Sequence, residues 1–253
     1  MSAAPLSPPA ARAATALEVI VYKPSRPLQI LNIVTAVLML TALAGVFFYA
    51  PQERVMGDVQ RIFYFHVPSA WLSFAAFGVT AVAGGVFLAT GKRLWDQIAY
   101  SSVEVGLVFT IMTTASGSIW ARPAWNAWWT WDPRLTTYTI MALIYVAYLM
   151  LRQGIEDPDR RARFASVYGI IGVISVPITW FSIRWWRTIH PVVIGNGSES
   201  AEGGFDMTPT MLQVFLFSNL AFTFFYAALL ANRVRLARIT ERVEEIKAQL
   251  MAA

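Results

Sequence analysis

The sequence predicts an all-α membrane protein that crosses the bilayer six times. Hydrophobic residues make up 57% of the 253 residues and charged residues only 14%, a balance that argues against an ordinary soluble domain. Several apolar runs reach the roughly 20 residues that a helix needs to cross a bilayer. The chain has no cysteine, so disulfides, thiolate metal sites and cysteine nucleophiles are also excluded.

Six apolar segments are the predicted spans: 28–50, 67–90, 98–119, 133–151, 164–183 and 209–231. Two of them have clear start signals, because Asp132-Pro133 and Thr208-Pro209 each place a capping residue before a proline at the first helical position. Pro177 lies inside the fifth segment and predicts a kink there, since proline removes a helical hydrogen bond.

The segments outside the spans divide the chain into three parts. Residues 1–27 are rich in alanine and proline without a signal-peptide pattern, which predicts a cytoplasmic tail. Residues 28–231 form the predicted membrane domain, with a tryptophan-rich outer loop at 120–136. Residues 232–253 are amphipathic and predict a cytoplasmic C-terminal helix, which either contacts a partner or headgroups or is solvated and frayed.

The distribution of lysine and arginine predicts the orientation. With the N-terminus inside, 14 of the 20 basic residues fall on inner segments and 6 on outer segments. The positive-inside rule therefore predicts that both termini are cytoplasmic, with outer loops at 51–66, 120–132 and 184–208. The net charge of +5 is explained by these inner segments, so no nucleic-acid partner is expected.

The tryptophans are concentrated on the predicted outer side. Only Trp95 of the ten tryptophans is on the inner side, and Trp71 and Trp180 lie within about two turns of the outer surface. An ordinary aromatic belt enriches both interfaces, so this skew favours an outer aromatic platform over simple anchoring, which stays the alternative. The remaining seven are in or beside outer loops: Trp120, Trp125, Trp128, Trp129, Trp131, Trp185 and Trp186.

The two histidines of the chain are also predicted on the outer side. Apolar residues at helical spacing in 55–62 predict a short interfacial helix just before the second span, with His66 on its apolar face. The positive end of the dipole of the following helix disfavours a charged imidazolium at His66. His190 ends the run RWWRTIHP and shares a face with Trp186 if the fifth helix continues that far. Either histidine alone is readily explained as structural.

The pair of histidines is better suited to haem than to zinc. Two imidazoles without cysteine make a poor closed zinc site, whereas two opposed imidazoles suit the axial positions of haem iron. The tryptophan loop supplies apolar walls for a porphyrin, with Trp185 and Trp186 beside it. Four arginines are candidate propionate partners, or alternatively lipid anchors: Arg122, Arg134, Arg184 and Arg187. Asp132 is predicted to cap the fourth span and to order the loop rather than to act in acid–base chemistry.

Glu104 is an ionisable residue inside the third span. A charge at such a depth is a functional hypothesis by default. A structural partner such as Arg93, or a hydrogen bond, explains it equally well, so Glu104 receives no role in the predicted site.

Three segments resemble one protein family. WNAWWTWDPRLT at 125–136 resembles the WWD signature of cytochrome c assembly proteins, and its RLT ending is similar to the haem exporter protein C branch (CcmC- or HelC-type). RIFYFHVPSAW at 61–71 and FSIRWWRTIHP at 181–191 resemble the two histidine segments of that branch. The resemblance covers residues 28–231. Asn126 stands where the family usually has glycine, and Pro133 where alanine is common.

The resemblance implies a role in system I cytochrome c maturation. It implies that His66 and His190 hold b-type haem axially, at the periplasmic face of a bacterial plasma membrane, for presentation to a haem chaperone (CcmE-type) that docks on the tryptophan loop. It further implies an ABC-type ATPase and other membrane subunits as partners. Covalent attachment of haem would take place on the chaperone, so we expect no conventional enzyme.

Two other functions stay open. A membrane permease that moves haem or another solute needs a polar path, and the scarcity of charges inside the spans argues against a wide pore. A scaffold without a ligand would leave the two outer histidines unexplained. The larger haem lyases of the same superfamily have more spans and additional histidines than this chain has.

Overall fold

A computed structural model describes residues 24–192 and 207–251 of the protein. Within these ranges the regular structure is helical, and six helical segments are long and apolar enough to cross a membrane. The predicted fold class, an all-α polytopic membrane protein, is therefore confirmed. Most of the predicted N-terminal tail and of the third outer loop lies outside the described residues.

Seven α-helices follow one another in the described residues, with α5 and α6 together forming the fifth span. A 3-10 turn, Asp58–Ile62, runs directly into the second helix. The helices are α1 (Arg26–Ala44, extended by a π-helical turn, Gly45–Tyr49), α2 (Phe63–Thr90), α3 (Arg93–Trp125), α4 (Pro133–Gln153), α5 (Pro158–Gly172), α6 (Ser175–Trp185) and α7 (Pro209–Met251).

Both predicted N-caps are present. The Asp132 carboxylate accepts a hydrogen bond from the Arg134 backbone N–H at 2.9 Å, at the start of α4. The Thr208 hydroxyl accepts one from the Met211 backbone N–H at 3.3 Å, at the start of α7. These contacts satisfy donors that the first helical turn leaves without an internal partner.

The predicted kink in the fifth span is a break between α5 and α6. The first helix ends at Gly172 and the second begins at Ser175. Pro177 has no N–H to donate to the carbonyl of Val173 four residues earlier, so the helical ladder is interrupted there. The fifth span therefore consists of two separate helices.

Two predicted helix ends are wrong in position. The third span continues to Trp125 rather than ending at 119, so the irregular part of the predicted loop 120–136 is only 126–132. Asn126 ends this helix in the left-handed region at φ 55°, which asparagine tolerates better than most residues. The second helix begins at Phe63, so His66 lies inside it and does not precede it.

The short helix before the second span is a 3-10 turn that begins only at Asp58. Val55 lies before it in a turn and is 90% exposed, so Val55 is not part of an apolar helix face with His66. Arg61 of this turn donates to the carbonyls of Val46 and Ala50, at the π-helical end of α1. The turn therefore fixes the outer end of the first span.

The second helix lies at the centre of the bundle, packed against α3, α5 and α7. Phe77 of α2 stacks on Tyr145 of α4 with ring centroids 3.6 Å apart, and both side chains are fully buried. Met141 and Tyr148 fill the same layer of the core without exposure. The bundle is thus closely packed in its middle.

Among the ion pairs that join helices near the predicted inner side, two involve Glu104 and Arg93. Glu104 of α3 bonds to Arg233 of α7 at 2.7 Å, so Arg93 is not its partner. Arg93 instead pairs with Asp159 at 2.9 Å. The last span and the predicted C-terminal helix form one continuous helix of 43 residues, which at 1.5 Å per residue is roughly 64 Å long, about twice the bilayer core.

Candidate functional site

A cavity opens between the ends of α2, α3, α4 and α6 that are predicted to lie on the outer side. It has a volume of about 1240 Å³, including the part that is open to solvent. Both histidines line it, together with six tryptophans: Trp71, Trp120, Trp125, Trp128, Trp129 and Trp180.

His66 is held by the neighbouring helix α3. Its Nδ1 atom is 3.1 Å from the carbonyl oxygen of Thr113 and 3.2 Å from the hydroxyl of Ser116. Because a carbonyl oxygen only accepts hydrogen bonds, Nδ1 carries the proton of the neutral ring. The lone pair then lies on Nε2, at the opposite edge of the imidazole.

His190 has the same arrangement in a different setting. Its Nδ1 atom is 3.0 Å from the carbonyl oxygen of Pro191, so Nε2 again keeps the lone pair. The condition under which His190 would share a helix face with Trp186 is not met, because the fifth span does not continue as a helix to His190. The helix α6 ends at Trp185, and Trp186 is already extended at φ −126° and ψ 152°. His190 therefore reaches the cavity from a loop.

A single carboxylate fixes this loop. Asp132 accepts hydrogen bonds from the Thr188 hydroxyl at 2.6 and 2.8 Å and from the Ile189 backbone N–H at 3.0 Å. The Thr188 hydroxyl in turn accepts the backbone N–H of His190 at 3.0 Å. Asp132 thus caps α4, as predicted. It also anchors the segment 186–192, here called the histidine loop, which the sequence did not indicate.

The site favours the neutral form of His190. Burial, the nearby Arg134 guanidinium and His66 together lower the pKa of His190 from 6.5 to about 3. A neutral imidazole is the form that ligates metal. His190 is therefore ready to act as a ligand throughout the physiological pH range.

Arg134 places a fixed positive charge in the cavity wall. Its Nη1 donates to the carbonyl oxygens of Thr179 at 2.6 Å and of Trp180 at 3.1 Å. The guanidinium also lies 5.5 Å from the Trp180 ring centroid and 5.6 Å from that of Phe74, within cation–π range. These contacts hold the charge in place in the cavity wall.

The other predicted arginines fall into two groups. Arg184 lines the cavity, as Arg134 does. Arg122 is exposed and bonds to the side-chain oxygen of Asn126, and Arg187 is exposed on the histidine loop. Neither of these two lines the cavity, so the structure brings two of the four candidate cations to the cavity wall.

The predicted tryptophans divide in the same way. Trp120 and Trp125, at the end of α3, form an edge-to-face pair with ring centroids 5.1 Å apart. Trp128 and Trp129 line the cavity from the loop that follows. The three others lie outside the lining and are exposed, with exposed fractions of 74%, 58% and 47% for Trp131, Trp185 and Trp186.

Several lining residues are absent from the predicted site. Trp71 and Trp180 pack together with ring centroids 4.9 Å apart, and their place near the outer surface was the signal that could have found them. Tyr138, Thr113 and Gly117 gave no such signal, because their residue types are common in membrane helices. Their role follows only from the way in which the helices pack.

The residues present fit haem. Two neutral imidazoles with free Nε2 atoms supply the two axial ligands that haem iron takes, aromatic rings supply apolar walls, and fixed arginines suit carboxylates. Residues 24–192 and 207–251 contain no group of three or more His, Cys, Asp or Glu side chains that would hold a bare metal ion. A porphyrin would supply the iron's other four ligands.

Comparison with known proteins agrees with this chemistry. The family described as Heme exporter protein C matches residues 13–249. Heme exporter protein C of Bradyrhizobium diazoefficiens is 34% identical over 81% of this chain and 75% of its own length. That of Escherichia coli K12 is 31% identical over 75% of this chain and 74% of its own length. A putative cytochrome c biosynthesis ccmC-like mitochondrial protein of Marchantia polymorpha is 35% identical over 56% of this chain and 59% of its own length.

Proposed function

Because this chain belongs to the Heme exporter protein C family, we propose that it binds haem at the outer, periplasmic face of a bacterial plasma membrane and presents it to a haem chaperone (CcmE-type) for c-type cytochrome biogenesis. The observation that carries the proposal is that His66 and His190 line one aromatic-walled cavity, each with its Nδ1 atom next to a backbone carbonyl oxygen. Because each Nδ1 faces a carbonyl oxygen, Nε2 is the atom of the neutral ring that would bind a metal.

The wall residues have distinct roles in this proposal. His66 and His190 are the axial ligands of a b-type haem. The tryptophans of the wall pack on the porphyrin, and Arg134 and Arg184 bind its propionates, because guanidinium groups suit carboxylates in a bidentate geometry. Arg122 and Arg187 are exposed and do not line the cavity, and we assign them to contacts with a propionate or with the partner.

The exposed tryptophans are the proposed docking surface for the chaperone. Trp128 is 59% exposed and lines the cavity, so a partner that contacts it is also next to the ligand. Trp131, Trp185 and Trp186 extend this surface beside the cavity. Bound haem supplies the vinyl group that reacts with the chaperone, and this chain supplies position and charge rather than catalysis of its own.

The remaining partners follow from the family. We propose that the chain works with an ABC-type ATPase and further membrane subunits, in contact with membrane lipids. The predicted inner side carries the long extension of α7 beyond the bilayer, which gives a surface for such a partner.

We favour presentation over the alternative of a permease. The cavity is confined to the outer ends of the helices, and below it Phe77, Met141, Tyr145 and Tyr148 are packed without exposure. A haem path would have to separate this layer. We therefore expect that proteoliposomes with this chain alone take up no haem, and a measured flux would favour the permease.

An absorption spectrum of the purified protein tests the proposal. We expect the low-spin spectrum of bis-histidine haem in the wild type, its loss in His66→Ala and in His190→Ala, and no retained haem when both are replaced. The variant Trp95→Phe, on the inner side, is the control and keeps the wild-type spectrum. A wild type that takes up no haem, or normal haem content in the double variant, contradicts the proposal.

A further inference from the structure

The ring of His66 lies in a notch on the surface of α3. The notch is formed by Thr113, Ser116 and Gly117, one helical turn of the neighbouring span. Thr113 and Ser116 face the Nδ1 atom of the ring, as described above. At Gly117 an added Cβ atom would lie 2.8 Å from Cε1 and 3.2 Å from Nδ1 of His66.

These distances leave no room for a side chain. Cβ atoms essentially never come within 3.0 Å of a neighbouring heavy atom, so any other residue at position 117 forces something to move. The helices cannot easily separate here, because α2 and α3 pack closely along much of their length and Phe109 and Ala121 of α3 are buried on either side. Packed interiors resist such a shift, so the imidazole ring moves instead.

We propose that Gly117 is a positioning residue for the haem ligand His66: the notch that its missing side chain leaves holds the ring with Nδ1 against α3 and Nε2 toward the cavity. That His66 binds haem rests on the proposed function. That Gly117 positions the ring of His66 rests on the packing alone. A displaced ring loses the bond to the Thr113 carbonyl, and with it both the tautomer and the direction of Nε2.

Gly117→Ala tests the inference through the haem spectrum. Alanine favours the helix more than glycine does, so a loss of helix stability does not explain an effect. We expect the low-spin spectrum to be replaced by that of five-coordinate, high-spin haem, with haem affinity reduced about tenfold or more, as expected for a misplaced ligand. Gly85→Ala is the matched control, because an added Cβ at Gly85 of α2 meets nothing within 4 Å.

A second measurement does not require haem. The chain has only two histidines, so nitrogen NMR of the haem-free protein with labelled histidine shows the ring-nitrogen signals of two imidazoles. The variant His66→Ala shows which signals belong to His66. We expect the wild-type His66 to carry its proton on Nδ1. Gly117→Ala should change the nitrogen shifts of His66 and leave those of His190 as they are.

The outcomes separate the two hypotheses. Unchanged shifts and an unchanged spectrum in Gly117→Ala overturn the positioning role, while the bis-histidine spectrum of the wild type still supports the proposed function. If the wild-type protein takes up no haem but Gly117→Ala still changes the His66 shifts, the proposed function and the assignment of His66 as a haem ligand are overturned. The role of Gly117 in positioning the His66 ring is then still supported. An equal loss in Gly85→Ala also overturns the inference.

Discussion

Asp132 shows how one residue can organise a site from a distance along the chain. Its carboxylate joins the start of α4 to a loop 56 residues later, and it does so with bonds to a side chain and to the backbone. Charge-assisted hydrogen bonds of this kind are stronger than neutral ones. The bonds to the Ile189 backbone and the Thr188 side chain together fix the position of His190. Asp132 therefore positions His190 without contacting it.

Replacement of Thr188 separates this anchoring from the helix cap. We expect Thr188→Val to leave the cap bond between Asp132 and Arg134 intact but to weaken haem binding about tenfold, since a hydrogen bond to a charged group contributes roughly 1.5–3 kcal/mol. Haem titration of the purified protein measures this. Thr139→Val is the control, because it loses only a bond within α4, to the carbonyl of Leu135. Equal affinity in both variants would show that the loop does not need the anchor.

At the scale of the helices, two ion pairs of very different burial join elements on the predicted inner side. Asp96 of α3 and Arg152 of α4 form a bidentate pair at 2.6 and 3.0 Å, with side chains only 8% and 10% exposed. The pair of Arg93 and Asp159 links α3 to α5, with exposed fractions of 35% and 78%. Both side chains of the buried pair are largely shielded from water. Removal of one partner therefore leaves a buried charge with neither water nor an opposite charge to stabilise it.

The two pairs predict a large difference between matched variants. We expect Asp96→Asn to lower the free energy of unfolding by about 3–5 kcal/mol, as for other broken buried pairs. Asp159→Asn should lower it by less than about 1 kcal/mol, as for exposed pairs. Unfolding of the detergent-solubilised protein in denaturant measures both. Similar losses in the two variants would mean that the pair of Asp96 and Arg152 is well hydrated.

A neutral double variant gives a further check on the buried pair. Replacement of Asp96 by asparagine and Arg152 by methionine removes both charges, so we expect it to recover much of the stability that Asp96→Asn loses. No recovery would mean that Asp96 is needed for something other than its pairing with Arg152.

At the scale of the whole molecule, the fold puts the candidate site at one end of the bundle. The cavity, the tryptophan loop 126–132 and the histidine loop lie together there, whereas the two ion pairs and the extension of α7 lie toward the other end. Basic residues are concentrated at the second end, which the positive-inside rule assigns to the cytoplasm. The rule therefore predicts that the site faces the periplasm, as the proposed function requires.

The orientation can be measured directly, since the natural chain has no cysteine to interfere. Gln52→Cys and Glu156→Cys place single thiols at exposed positions of opposite ends. We expect a membrane-impermeant thiol reagent to label position 52 in intact cells and position 156 only after the membrane is opened. The reverse pattern would put the site on the cytoplasmic side and overturn the proposed presentation to a periplasmic chaperone.

Local signals in the sequence explain which helix boundaries could be predicted. Asp132 and Thr208 mark helix starts through capping, and Pro177 marks a break, because each acts through its own backbone or its nearest turn. The ends at Trp125 and Trp185 were not predictable in the same way. Aromatic residues at a membrane surface are equally compatible with a helix and with a loop, and packing against other helices decides between them.

The sequence by itself determined the six spans, the uneven distribution of tryptophans along the chain and the two histidines as the candidate ligands, since hydropathy and rare residue types are properties of composition and order. Only the tertiary structure decided which tryptophans and arginines line the cavity, how Asp132 fixes the loop of His190, and why Gly117 adjoins His66. These are contacts between segments far apart in the chain, and the packing of the helices sets them.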